Sequence, residues 1–306
     1  MGFGSRLKSK KQLQKVALVY DFDGTLSPGN MQEYGFINAV KMDQQEFWEK
    51  SNGLSEKNNA SKILCYMQVM MEEAKSKDIS LKRESFQRFG KNVKFFDGVK
   101  SWFSNINAYG KTKGLDIHHY INSSGLKEII EGTSIAKEFD EIYACSFMYN
   151  VDGIAAWPAV AVDYTTKTQF IFKINKGITS ISDDKKINEY VPEEQRPIPF
   201  RRMIYFGDGS TDIPCMKMVK QNGGHSIAVY APRDTKKKTA AEQLIIDGRV
   251  NFVCPADYSK DKEVYKVVAT ILDKIRSDYD FESLLKQHRQ LAEDLISRLS
   301  GKKNEN

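Results

Sequence analysis

A short run of branched and aromatic residues, Val16 to Tyr20, ends abruptly in Asp21-Phe22-Asp23-Gly24-Thr25, and this junction restricts the fold more than any other feature of the chain. An apolar run of that length with no polar alternation reads as a strand buried on both faces, the situation of a parallel strand covered by helices. Similar runs recur at Ile117 to Ile121, Ile142 to Phe147, Met203 to Phe206, Ser226 to Tyr230 and Asn251 to Cys254, with helical patterns between most of them. The expected architecture is α/β, a doubly wound and mainly parallel sheet.

The stretch from Asn30 to Phe95 breaks this rhythm. It offers helical periodicity without a convincing strand, most clearly from Ala60 to Lys75, where Ile63, Leu64, Met67, Met70 and Met71 recur at helical spacing. Residues 30–95 therefore read as an inserted helical domain. Residues 1–29 and 96–306 read as the core, with a helix starting at Phe96-Asp97-Gly98-Val99. At that spacing the methionines are expected in packing rather than along a groove. Asp152-Gly153 lies between extended apolar pieces and suggests a hairpin at the sheet edge. The polar, proline-bearing segment 182–201 reads either as a loop or as an ordered excursion. Residues 257–306 form a C-terminal extension with two helical patterns, Asp261 to Ser277 and Phe281 to Leu299, and a polar tail that should fray.

Composition removes several classes of function. The four cysteines, Cys65, Cys145, Cys215 and Cys254, show neither Cys-x-x-Cys pairing nor metal-ligand spacing with the four histidines, so neither a zinc site nor a disulfide framework is expected. The basic N-terminal segment lacks the apolar stretch of a signal peptide, and Arg6 stands where a myristoylation motif needs Ser or Thr. No segment is long and apolar enough to span a membrane. A cytoplasmic protein without membrane contact is the expectation. The formal charge of +6 owes much to the termini and to runs such as Lys236-Lys237-Lys238, which read as a solvated helix start. Without an interleaved aromatic stripe, no nucleic-acid partner is expected.

The chemistry concentrates at predicted strand ends, where open parallel sheets bind ligands. Two carboxylates two residues apart, Asp21 and Asp23, can divide labour between attack on phosphorus and proton transfer to the leaving oxygen. Gly24 permits a tight turn and close backbone approach to a phosphate. A later strand ends in Gly207-Asp208-Gly209-Ser210-Thr211-Asp212, and carboxylates from two strand ends suit a hard cation that keeps sites for water and phosphate. Between these, Asn122-Ser123-Ser124-Gly125 offers hydroxyls and backbone N–H groups to phosphoryl oxygens, or caps a helix. A cation must also match the charge that develops on the phosphoryl group, and Lys167, Lys173 and Lys176 are the candidates. Thr165 and Thr166 read as the cap of a helix starting near Lys167. That favours Lys167, since a lysine at a helix start is otherwise unfavourable.

In order and spacing these four pieces resemble the haloacid dehalogenase superfamily, most of all its phosphoserine-phosphatase-like branch, over residues 15–255. The resemblance implies a helical cap on a Rossmann-like core and an aspartyl-phosphate mechanism with Mg2+ as cofactor. It makes Asp21 the nucleophile and a metal ligand. Asp23 becomes the general acid and base, offering its backbone carbonyl to the metal. Asp208 is a further ligand, and Asp212 supports the metal shell. Ser123 matches the phosphoryl-binding serine with Ser124 one residue off register, Lys167 matches the stabilising lysine, and Gly24 and Thr25 belong to the substrate-binding turn. The chain departs from the family pattern at Ser124-Gly125, where two glycines are common. Asp23 stands where dehalogenase and phosphonate-cleaving relatives lack an acid, which favours a phosphomonoesterase. The long gap between Thr25 and Asn122, against the short one between Gly125 and Lys167, places the cap after the first motif. Met31, Glu33, Trp48 and Tyr66 are then candidates for substrate selection. A small phosphorylated metabolite is the expected partner. The competing reading is a catalytically silent binding or scaffold protein on the same fold.

Overall fold

The computed structural model describes residues 13–303. The expectations that the N-terminal segment carries neither a signal peptide nor an acylation motif fall outside the described residues. Among the described residues no helix is long and apolar enough to cross a membrane.

The chain opens on β1 (Gln14–Tyr20) and then runs through α1 (Phe36–Ala39), α2 (Gln44–Asn58), α3 (Lys62–Ser76) and α4 (Arg83–Gly90) before α5 (Val99–Thr112). There follow β2 (Leu115–Leu126), α6 (Lys127–Glu131), β3 (Glu141–Tyr149), β4 (Ala155–Val160), α7 (Thr166–Lys176) and α8 (Asp184–Asn188). The rest is β5 (Met203–Gly207), α9 (Ile213–Gln221), β6 (His225–Tyr230), α10 (Thr235–Ile246), β7 (Phe252–Pro255) and α11 (Glu263–Lys303). The strands form one seven-stranded sheet in the order β4-β3-β2-β1-β5-β6-β7. Every pairing is parallel except β3 with β4. This is the doubly wound, mainly parallel sheet of a Rossmann-like core. Val16 to Tyr20 and all of β5 are buried, as strands with both faces covered must be. Helices α7 and α9 pack together, and α5 packs against α11.

Helices α1 to α4 form the helical insertion after β1. Their amphipathic faces close on one another through Phe36, Phe47, Phe86 and Phe89, with Phe36 edge-on to Phe47 and Phe89 and stacked on Phe86. Phe86 also stacks on Phe147 of β3 at 5.4 Å, and Lys82 bridges Ile154. The antiparallel β3–β4 edge therefore forms the seat of the insertion. Met67 and Met70 are fully buried within it, as their spacing suggested.

One expectation about elements needs correction, and one open alternative is decided. The C-terminal helical patterns are one continuous helix, α11, because the junction at Asp278 to Asp280 contains no Gly or Pro, and Lys274–Asp278 and Arg276–Asp280 pair across it at i,i+4. Segment 182–201 is an ordered excursion. It contains α8 and 3₁₀ turns at Glu193–Gln195 and Phe200–Arg202, with Ile198 and Phe200 buried.

Candidate active site

The register of the three central strands brings the motifs together. Tyr20 lies opposite Ile121 on one side and Phe206 on the other, so the next residues, Asp21, Asn122 and Gly207, emerge side by side at the carboxyl edge. The Asp21 N–H continues the ladder, donating to the Phe206 carbonyl at 2.9 Å. The chain then folds back on itself, with the N–H groups of Thr25, Leu26 and Ser27 all donating to the Phe22 carbonyl. Gly24 has a φ of +75°, and a Cβ there would lie 2.1 Å from Asp208 Oδ2. Glycine is required both by backbone conformation and by the approach of the two acidic loops. Gly207 has the same steric reason, since a Cβ would meet the Asp212 carboxylate at 2.5 Å.

Carboxylate oxygens of Asp21, Asp208 and Asp212 lie within 4.8 Å of one another. Lys167 is fully buried and donates from Nζ to Asp212 Oδ1 at 2.8 Å, with Asp21 Oδ1 at 3.2 Å. Tyr205 donates its hydroxyl to the same Asp212 oxygen at 2.8 Å, while Asp212 Oδ2 is buried with no partner among the described residues. Burying an ammonium opposes its charge, but Asp21 and Asp212 override that and hold the Lys167 pKa raised. Burial together with the neighbouring Asp212 pushes Asp21 up to about 7, despite Lys167. Asp208 is raised for the same reasons, burial first and Asp212 second. Three carboxylates around one buried ammonium carry surplus negative charge. Hard oxygen donors, an unpaired buried carboxylate oxygen and that surplus together fit a divalent cation of the magnesium type.

Asp23 stands apart from this cluster. Its Oδ1 accepts from the Met31 N–H at 2.9 Å, and burial, with Asp21 next, holds its pKa well above the carboxylate range. Asp23 lines the same cavity as Asp21.

The serine segment is the irregular end of β2, where the register with β3 shifts between Asn122 and Leu126. Neither serine caps a helix, because the residue before α6 is Leu126 and α6 has no side-chain cap. Ser123 Oγ accepts from the Gly125 N–H at 3.1 Å, and Ser124 Oγ is buried without a partner among the described residues. Both serines line a cavity of about 690 Å³, together with Asp21, Asp23, Gly24 and Asp208. Asn122 was not singled out by sequence; it is fully buried and donates from Nδ2 to the Lys167 carbonyl at 3.0 Å, fixing the first turn of α7 against β2.

The structure separates the three candidate lysines. Lys173 donates to the Ser180 and Ile181 carbonyls and Lys176 to those of Ile187 and Glu189, so both serve the excursion after α7. Thr165 makes no capping hydrogen bond. Thr166 Oγ1 accepts from the Asp163 N–H at 2.6 Å, upstream of the helix, so neither threonine caps α7.

Thr25 lies behind the cavity wall and not in it. It is fully buried, because the turn at Gly24 sends the chain inward, and its carbonyl accepts from the Tyr258 hydroxyl at 2.9 Å. Met31 is also buried, its sulfur accepting from the Leu126 N–H at 3.2 Å. Glu33, Trp48 and Tyr66 do line the cavity. Trp48 Nε1 donates to Glu33 Oε1 at 3.0 Å, and the Tyr66 hydroxyl donates to the Ser124 carbonyl at 2.8 Å. The lysine run at α10 is not wholly solvated, since Lys237 Nζ lies 3.3 Å from Asp208 Oδ2 and lines the cavity. The available signal was its position just after β6, whose carboxyl end faces the same edge.

Residues 18–217 match the family described as haloacid dehalogenase-like hydrolase, and the chain belongs to that family. An uncharacterised protein of Borreliella burgdorferi is 30% identical over 289 residues, covering 85% of this chain and 96% of the relative. A haloacid dehalogenase family hydrolase from Salmonella enterica serovar Typhi superposes with a TM-score of 0.52 at 12% identity, over 85% of this chain and 72% of its own. A phospho-aspartyl intermediate analogue of phosphoserine phosphatase gives 0.48 at 14% identity, over 83% and 98% respectively.

Proposed function

We propose that this hydrolase is a magnesium-dependent phosphatase that transfers the phosphoryl group of a small phosphomonoester to Asp21 and then to water. The observation that carries the reading is the arrangement around Asp21, with Lys167 Nζ at 3.2 Å on one side and the separately held acid Asp23 lining the same cavity. A carboxylate oxygen of Asp21 attacks phosphorus as the bond to the ester oxygen breaks, and Asp23 gives that oxygen its proton. Water then attacks the aspartyl phosphate and returns a proton to Asp23. The P–O bond to Asp21 breaks and inorganic phosphate leaves. Lys167 and the hydroxyls of Ser123 and Ser124 hold the phosphoryl oxygens throughout. Magnesium held by Asp21, Asp208 and Asp212, with the Asp23 backbone carbonyl, would keep Asp21 ionised at neutral pH and screen it from the anionic substrate. The insertion shields the reacting group from bulk water, and Glu33, Trp48 and Tyr66 select the remainder of the substrate.

The test is hydrolysis of an aryl phosphate by the purified protein with magnesium, with EDTA, and by Asp21→Asn at matched folding. Magnesium-dependent release of phosphate, abolished by EDTA and by the substitution, is expected. No turnover across a broad panel of phosphates by the folded, metal-loaded protein would overturn the proposal in favour of a silent binding protein.

A further inference from the structure

Helix α11 has two halves with different surroundings. From Val264 to Ile275 its apolar side chains are buried or half-buried against the body of the protein, but from Leu284 to Ser300 every residue is exposed. That outer half is nevertheless strongly patterned. With 100° per residue, Phe281, Leu284, Leu285, Leu291, Leu295 and Leu299 fall with Ile296 in one arc of about 140°, which holds no charged residue from 281 to 299. These side chains are 42–63% exposed. Among the described residues nothing covers this face, and a helix that carries such a face offers it to a partner.

We propose that this face pairs antiparallel with the same face of a second copy of the chain. Three observations favour a second copy over other partners. The apolar pattern is nearly palindromic: about Gln290, Phe281 mirrors Leu299, Leu284 mirrors Ile296, Leu285 mirrors Leu295, and His288 mirrors Ala292, while Leu291, one residue from the centre, lies next to its own copy. A two-fold axis through that point lays apolar groups on apolar groups, which is the condition for an isologous interface. The flanks are also self-complementary, since Arg289 and Glu293 lie on one side of the stripe and the axis brings each near the opposite charge of the other copy. The polar side is balanced, with Lys286, Arg289 and Arg298 against Glu282, Glu293 and Asp294, whereas a membrane-surface helix carries an excess of basic residues there. The exposed apolar side chains offer roughly 700 Å² per chain, so full coverage would bury at most about 1,400 Å² across the pair, which reaches the ~1,200–2,000 Å² of stable interfaces.

The experiment is light scattering after size exclusion on the full chain at several concentrations. Twice the 34.9 kDa chain mass is expected, falling to the monomer mass for Leu291→Glu combined with Leu295→Glu. Both positions are exposed, so circular dichroism and the melting of the core should be unchanged. Arg289→Glu and Glu293→Arg should each weaken association at least several-fold, and the double exchange should restore it. A wild-type monomer at all concentrations overturns the proposal, including one that binds anionic vesicles through this helix. So does a dimer indifferent to the glutamate pair.

Discussion

Asp21 and Lys167 depend on one another, and the other two lysines of α7 show why position alone did not separate them. All three lie on one short helix, and each neutralises oxygens, but only Lys167 points under the strand ends, while Lys173 and Lys176 bind main-chain carbonyls of the excursion that follows. Removing a preorganised cation from a developing phosphoryl charge costs about 10²–10³-fold in kcat. Lys167→Met is expected to lose that much with magnesium saturating, whereas Lys176→Met should keep kcat near wild type. Steady-state kinetics on one aryl phosphate decides this, and equal losses in the two variants would remove Lys167 from its assigned role. The acidic motifs were legible because strand ends and glycines announce them. Lys237 was not, because a lysine within a lysine run looks solvated until the path of α10 past Asp208 is known.

Among the elements, α3 and the irregular end of β2 are joined by one side chain. Tyr66 reaches from the insertion to the Ser124 carbonyl, directly behind the hydroxyl assigned to phosphate binding. A neutral hydrogen bond of this kind contributes about 1 kcal/mol. Tyr66→Phe should therefore lower the melting temperature by roughly 2–4 °C, and kcat/KM by up to about five-fold, while the ring remains packed against Trp48. An unchanged kcat/KM would mean that the serine segment is held by β2 and β3 alone. The insertion as a whole was readable from periodicity, as were the sheet and its antiparallel edge. The continuity of α11 was not, since the run from Ser277 to Asp280 resembles a break, whereas it holds no Gly or Pro and its i,i+4 partners support the helix.

At the scale of the molecule, the acidic cluster couples stability to pH and to metal. Asp21 has a folded pKa of about 7, raised above its unfolded value chiefly by burial. The stability tied to its proton is present below about pH 4 and is lost as pH rises towards pH 7, because the native state then gives up a proton it had held more tightly. In EDTA the melting temperature should fall between these limits, Asp21→Asn should flatten that fall, and magnesium should raise the melting temperature more at pH 8 than at pH 5. Calorimetry at the two pH values checks it; a slope untouched by Asp21→Asn would place its origin elsewhere. The strand order bears on synthesis as well. Of the described strands β1 leaves the ribosome first, and it ends in the middle of the sheet, between a neighbour that begins at Leu115 and another that begins only at Met203. Until that last neighbour is made, β1 keeps one open edge, a surface prone to aggregation, and Asp21 has neither Asp208 nor Asp212 beside it. A chain cut before Met203 would therefore lack two of the three clustered carboxylates and expose a sticky edge, so it would meet chaperones and proteases before it could gain the proposed activity.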